Sequence, residues 1–260
     1  MVLLALLGCA SIVQAQPRYA SLPGIPDIPF AIIAQKPSDK TAYTQGLQLV
    51  DDKLYLGTGL YGQSHIQVID WATGDVILRR ALPDTFFGEG VAVSNGHVYQ
   101  LTWKVGLLYV YHQRDLSLAN IHTYQGEGWG LAHDGSHFIM SDGTATLTFR
   151  DSDTFAVERT VDVTSNGQPV GHLNELEWVN GWLLANRWGA SDILVVDPLS
   201  AQVMGQLRFG SIVEEMRQRL PTAGVLNGIA YDSAESKLLV TGKNWDRIYV
   251  IEADLRNLKQ

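Results

Sequence analysis

The residues of this 260-residue chain that could do chemistry fall into recurring neighbourhoods. Tyr43, Thr44 and Gln45 stand together, as do Phe87 and Glu89, Glu127 and Trp129, and Asn174, Glu175 and Glu177, with Asn227 further on. Trp103, Trp188 and Lys243 each follow a short apolar run. A carboxylate can take a proton and return it, amides and an ammonium can stabilise developing negative charge, and aromatic rings can wall off water. Gathered in one place, such groups would hold a small polar ligand between apolar walls. Each type also has a purely structural reading. A buried glutamate can satisfy a turn, an amide can cap backbone groups, and tryptophans can pack one sheet on another.

What would gather them is a repeat. Gln45-Gly46-Leu47, Glu89-Gly90-Val91, Trp129-Gly130-Leu131, Glu175-Leu176-Glu177 and Asn227-Gly228-Ile229 occupy one equivalent position, with centres 44, 40, 46 and 52 residues apart. Each triplet precedes a turn and an apolar run, at 53–57, 97–101, 137–141, 182–186 and 237–241. A further run follows each, at 66–70, 107–111, 146–150, 192–197 and 247–252. The first four repeats add another at 76–82, 118–124, 156–163 and 202–209. Short β-rich runs punctuated by Asp-Gly, Asn-Gly and Thr-Gly are strands and hairpins, and four strands per ~40–45 residues is the blade of a β-propeller. The fifth repeat lacks its last strand, and the run 30–36 before Pro37 mirrors 76–82 before Pro83. The fold expected is therefore all-β, a five-bladed propeller closed by its N-terminal strand, which hides two sheet edges. Residues 211–220 carry Ile212, Val213, Met216 and Leu220 at helical spacing, so one short helix is expected between the last two blades, capping the ring or shaping the site's rim.

Composition narrows the functional classes. The net charge of -8, without any basic block, argues against a nucleic-acid partner. One cysteine, Cys9, excludes a disulfide scaffold and any multi-cysteine metal site. No HExxH, nucleophile elbow, phosphate loop or dinucleotide fingerprint is present, and His133 and His137 merely flank a hairpin turn, so neither metal nor cofactor is expected. Residues 1–15 are uncharged and aliphatic, too short for a membrane span. They read as a secretory leader cleaved before Gln16, or as a lipoprotein signal that would acylate Cys9, which would be the only membrane attachment. Residues 16–29 are then a linker, 30–260 one catalytic propeller, and the protein an extracytoplasmic monomer.

The blade motifs resemble a known family. Tyr43-Thr44-Gln45-Gly46-Leu47, Phe87-Gly88-Glu89-Gly90, Gly126-Glu127-Gly128-Trp129-Gly130-Leu131, Leu173-Asn174-Glu175-Leu176-Glu177-Trp178, Leu226-Asn227-Gly228-Ile229-Ala230 and Val240-Thr241-Gly242-Lys243-Asn244-Trp245 are similar, in order, to those of plant-type glutaminyl cyclases, also found in bacteria. The resemblance runs from about Phe30 to Leu255 and implies a five-bladed propeller that converts N-terminal glutamine of peptides to pyroglutamate with loss of ammonia. It implies Glu89 as the acid/base, with Lys243 as a catalytic cation, and Gln45, Phe87, Trp103, Trp129, Asn174 and Trp188 around the substrate. Glu177 is added as a substrate-binding carboxylate, with Glu175 as the competing choice, and Trp71, Trp178, Trp182 and Trp245 are read as packing. Tyr43 departs from the family's usual Phe, a change at the rim that leaves the chemistry intact. The competing functions are a non-catalytic propeller binding a peptide or sugar in the same pocket, and a metal-dependent propeller hydrolase.

Overall fold

The computed structural model describes residues 19–259; the leader, Cys9 and the cleavage point before Gln16 lie outside them. Five sheets, each built on four antiparallel strands, follow one another in chain order. The first is Thr44–Val50, Lys53–Thr58, His65–Asp70 and Val76–Ala81, and the second Gly88–Ser94, His97–Thr102, Leu107–His112 and Leu118–Thr123. The third is Leu131–His133, His137–Ser141, Thr146–Asp151 and Val157–Asp162. The fourth is Leu173–Val179, Trp182–Arg187, Asp192–Asp197 and Gln202–Arg208, widened to six strands by the small hairpin Thr164–Ser165/Gln168–Pro169. Leu226–Asp232, Lys237–Gly242 and Arg247–Ala253 form the fifth, and Phe30–Pro37 completes it antiparallel to Arg247–Ala253, with Phe30 opposite Ala253 and Pro37 opposite Arg247. This is the five-bladed propeller with the N-terminal closure that the repeats predicted.

Burial explains the strand types. The two middle strands of a blade are covered on both faces by neighbouring blades, so they read as nearly unbroken apolar runs. The outermost strands of the first three blades and the closing strand Phe30–Pro37 are exposed along most of their length, with charges such as Arg79, Arg80, Glu158 and Arg159 that blunt an open edge, whereas Gln202–Arg208 of blade four is mostly covered. Asp70, Asp151 and Asp197, each ending a third strand, accept backbone N–H groups of the following turn from Thr73 (2.9 Å), Thr154 (2.7 Å) and Leu199 (3.1 Å). The helix Gly210–Arg219 buries Ile212, Val213 and Met216 in the core shared with Trp182, Leu226, Trp245 and Tyr249. It is a packing element of blades four and five.

Two features were not visible in the repeats. Residues 19–29, expected as a linker, lie along blade four. Ile28 N–H donates to Gln206 O (2.8 Å), Gln206 N–H donates to Pro26 O (3.0 Å), and the buried Gln206 side chain accepts from Leu22 N–H (3.2 Å). The second concerns register. Leu47, Val91, Leu176 and Ile229 pair with Leu56, Gln100, Ala185 and Val240 of their neighbouring strands, each just past a bulge. Leu176 therefore matches Val91 and Ile229, and the fourth triplet is Asn174-Glu175-Leu176, one residue earlier than Glu175-Leu176-Glu177. Gly46, Gly90 and Gly130 sit where a Cβ would come within 2.4 Å of Val91 N, 2.6 Å of Leu131 N and 2.0 Å of Asn174 O. The inner strands touch through these positions. Glu175 takes the corresponding place in blade four.

Candidate active site

The bulges aim the polar side chains. Pairing breaks between Thr44 and Gly46, Gly88 and Val91, Leu173 and Leu176, and Leu226 and Ile229. Gln45, Glu89, Asn174 and Asn227 occupy those breaks, where an inner strand bends and a side chain is redirected. Hydrogen bonds just beyond the second strands fix the next group. Trp103 N–H donates to Phe87 O (2.9 Å), Trp188 N–H to His172 O (2.7 Å) and Lys243 N–H to Val225 O (2.9 Å).

The result is one cavity of about 400 Å³ lined by Tyr43, Gln45, Phe87, Glu89, Trp103, Trp129, Asn174, Trp188 and Lys243. All five blades contribute to it. Eight of the nine expected site residues meet there, with Tyr43 beside them. Glu177 does not. It lies three residues past Asn174 on the inner strand, its carboxylate accepts Tyr231 N–H at 2.8 Å, and burial pushes its pKa up to about 8. Glu175 is also away from the lining, accepting Leu47 N–H (3.2 Å) and Ile229 N–H (2.8 Å). Trp71, Trp178, Trp182 and Trp245 pack in or against the apolar cores between blades, as read from the sequence.

The polar floor is a short chain of amides. Asn227 Nδ2 donates to Thr44 O (3.0 Å) and Gln45 Oε1 (3.2 Å), which leaves Gln45 Nε2 to donate to Glu89 Oε1 at 3.0 Å. Among the described residues, that is the one side-chain hydrogen bond Glu89 accepts. Burial raises the Glu89 pKa well above the ordinary carboxylate range; the Lys243 ammonium opposes the rise and the Glu127 carboxylate adds to it. Lys243 is buried too, which lowers its pKa to about 8 against the pull of Glu89, and its Nζ lies 4.7 Å from the centre of the Tyr43 ring. Asn174 is buried with its Oδ1 unpartnered, an acceptor available to a bound amide or amine.

The walls are aromatic. Phe87 meets Trp103 at 5.5 Å between ring centres, and Trp129 meets Trp188 edge-on at 6.4 Å and 84°. Tyr19 of the N-terminal segment stacks on His172 at 4.5 Å, and His172 lies 6.3 Å from Trp188, so that segment backs one wall. Tyr61, exposed and edge-on to Phe87 at 5.5 Å, extends the rim. Its Gly59–Gly62 surroundings carry no repeat signal, which is why sequence reading passed over it. Among the described residues, no group of three or more His, Cys, Asp or Glu side chains is arranged to hold a metal ion. The arrangement can bind a compact ligand bearing an amine and an amide, and can pass it a proton.

A family model described as glutamine cyclotransferase matches residues 1–253. A glutaminyl-peptide cyclotransferase of Arabidopsis thaliana is 36% identical over 228 residues, which cover 85% of this chain and 70% of that one. The crystal structure of Myxococcus xanthus glutaminyl cyclase superposes with a TM-score of 0.82 at 32% identity, covering 88% of this chain and 98% of that one.

Proposed function

The chain belongs to the glutamine cyclotransferase family and has its glutaminyl-peptide cyclotransferase activity; we propose that Glu89 moves the protons of that reaction in a metal-free pocket. The substrate is a peptide or protein beginning with glutamine. Its α-amine nitrogen attacks the carbon of its own γ-carboxamide, a five-membered lactam closes, and the carbon–nitrogen bond to the departing group breaks to release ammonia. One proton must leave the attacking amine and one must reach the leaving nitrogen, so a single carboxylate can serve both steps. A peptide α-amine has a pKa near 8. A carboxyl whose affinity for protons is raised by burial exchanges a proton with it readily in both directions.

The other groups have matching tasks. Lys243 and the free hydrogen of the Gln45 amide face the region where negative charge develops on the carboxamide oxygen. The unpartnered Asn174 oxygen is suited to hold the substrate's amine. Trp103, Trp129, Trp188 and Phe87 fold the flexible glutamine side chain back on itself and exclude the water that would hydrolyse rather than cyclise. The observation that carries this reading is the meeting, in one cavity drawn from five blades, of a buried carboxyl with a buried ammonium and four aromatic walls.

The purified protein should release ammonia and form pyroglutamyl-alanine from Gln-Ala, with no loss of rate in EDTA. Tight binding of Gln-Ala without product would replace the enzyme reading with a peptide-binding one, and EDTA-sensitive activity restored by a metal would overturn the metal-free claim. We also read the protein as an exported monomer with its leader cleaved before Gln16, which N-terminal sequencing and sedimentation of the exported form would check.

A further inference from the structure

Glu127 touches two walls of the cavity without lining it. Its Oε2 accepts the indole N–H of Trp103 at 2.6 Å and that of Trp129 at 3.0 Å. Trp103 follows the second strand of blade two and Trp129 precedes the first strand of blade three, so one oxygen joins two blades at the mouth. Its Oε1 lies 3.8 Å from the Lys104 ammonium, which in turn sits 4.0 Å from the centre of the Trp103 ring. The Glu127 side chain is 40% exposed, so the carboxylate keeps contact with water and contributes little to global stability through its ion pair.

We propose that Glu127 is a positioning residue for the cyclisation, fixing the angle of both indoles and so the width of the pocket. The proposal rests on the glutaminyl cyclase reading of the cavity. An indole turns about a broad torsion next to its ring, so packing alone leaves its tilt loosely set. A hydrogen bond to a charged oxygen is short and directional, and it fixes the N–H edge. Each ring also has a packing contact. Trp129 lies against Gly143, where an added Cβ would come within 2.7 Å of its ring carbons, and Trp103 lies against Phe87. Each indole is thus held by a packing contact and by the same oxygen. Ring closure needs the amine and carboxamide carbon in near-attack geometry, so walls that can swing cost both binding and rate.

The carboxylate has a second effect at longer range. The groups acting on Glu89 are Gln45, which donates to it, Lys243 and Glu127; the Tyr43 and Tyr124 hydroxyls lie within reach of its charge. Glu127 is the carboxylate among them, and its charge raises the Glu89 proton affinity. Removing that charge while keeping an acceptor lets Glu89 ionise at lower pH.

Two variants separate these effects. Glu127→Ala removes the acceptor, and with Gln-Ala as substrate KM should rise on the order of tenfold with a fall in kcat. Its tryptophan emission should become more open to acrylamide quenching, a readout that needs no turnover. Glu127→Gln keeps a carbonyl acceptor, so KM and quenching should stay near wild type while the acid limb of kcat/KM moves to lower pH. A wild-type KM, kcat and quenching profile in Glu127→Ala would overturn the proposal. So would losses in both variants that merely track a falling Tm with an unmoved acid limb. A wild-type protein that forms no pyroglutamate would instead overturn the activity on which the proposal rests.

Discussion

Glu89 and Glu175 are both fully buried carboxyls in inner-strand bulges, and burial raises the proton affinity of both well above the ordinary range. Their hydrogen bonding differs. Glu175 stands where the four other blades have glycine, and its two oxygens receive the backbone N–H groups of Leu47 and Ile229 from blades one and five. These are channel-facing donors of inner strands, which no neighbouring strand can pair. Glu89 receives one side-chain amide, faces a cavity of about 400 Å³ and has a buried ammonium across from it. A displaced pKa therefore marks burial in both cases. Unsatisfied bonding capacity that opens onto a void is what distinguishes the carboxyl that can work on a substrate.

The contrast can be broken in several ways. Glu175→Ala leaves two buried N–H groups without acceptors, each costing about 1–3 kcal/mol, so denaturant unfolding should show a loss of about 2–6 kcal/mol. Its kcat/KM per folded molecule should stay close to wild type. Lost turnover with an unchanged unfolding midpoint would show that Glu175 belongs to the site. Trp188→Ala removes a wall of the cavity with little effect on the inner channel, and KM for Gln-Ala should rise on the order of tenfold while Tm changes little.

The pH dependence gives a smaller and sharper test. Lys243 is charged below a pKa of about 8, so kcat should fall as the pH rises through that value and this cation is lost. Lys243→Arg stays charged and should push the alkaline limb upward, at a reduced maximum. An alkaline limb that does not move with this substitution would remove Lys243 from the proposed mechanism.

Glu177 tests the contrast through the pH dependence of stability. Its pKa rises from about 4.3 in the unfolded chain to about 8 in the fold. The folded state thus holds the proton over that window, and the Glu177 contribution to stability falls as the pH rises through it. Glu177→Gln should flatten this part of the stability profile, with KM unchanged. A several-fold rise in KM would return Glu177 to the substrate site.

Much of the fold was legible because a blade is local. Apart from the closing strand and the small hairpin on blade four, each blade strand pairs with the next in sequence, and turn residues such as Asp70, Asp151 and Asp197 punctuate the runs. The cavity lining was legible because the bulge residues and the residues ending second strands recur at blade spacing. The fourth triplet lies one residue earlier than the repeat predicted because Glu175 takes the place that glycine holds in the other four blades. A spacing signal was available: Gly46, Gly90 and Gly130 each precede the second strands at Lys53, His97 and His137 by seven residues, as Glu175 precedes Trp182. The docking of residues 19–29 had no such signal. It depends on Gln206, about 180 positions away, and on a segment without periodicity.

The central claim is that Glu89 carries the protons of cyclisation, and ammonia release from saturating Gln-Ala by Glu89→Gln tests it most directly. The variant keeps the size of the side chain and an acceptor for Gln45, so it should fold and bind the peptide as the wild type does. Its kcat should fall by roughly a hundredfold to ten-thousandfold, the usual contribution of a positioned acid/base. A variant that binds the peptide and turns it over within about tenfold of the wild-type rate, well inside that range, would contradict the account.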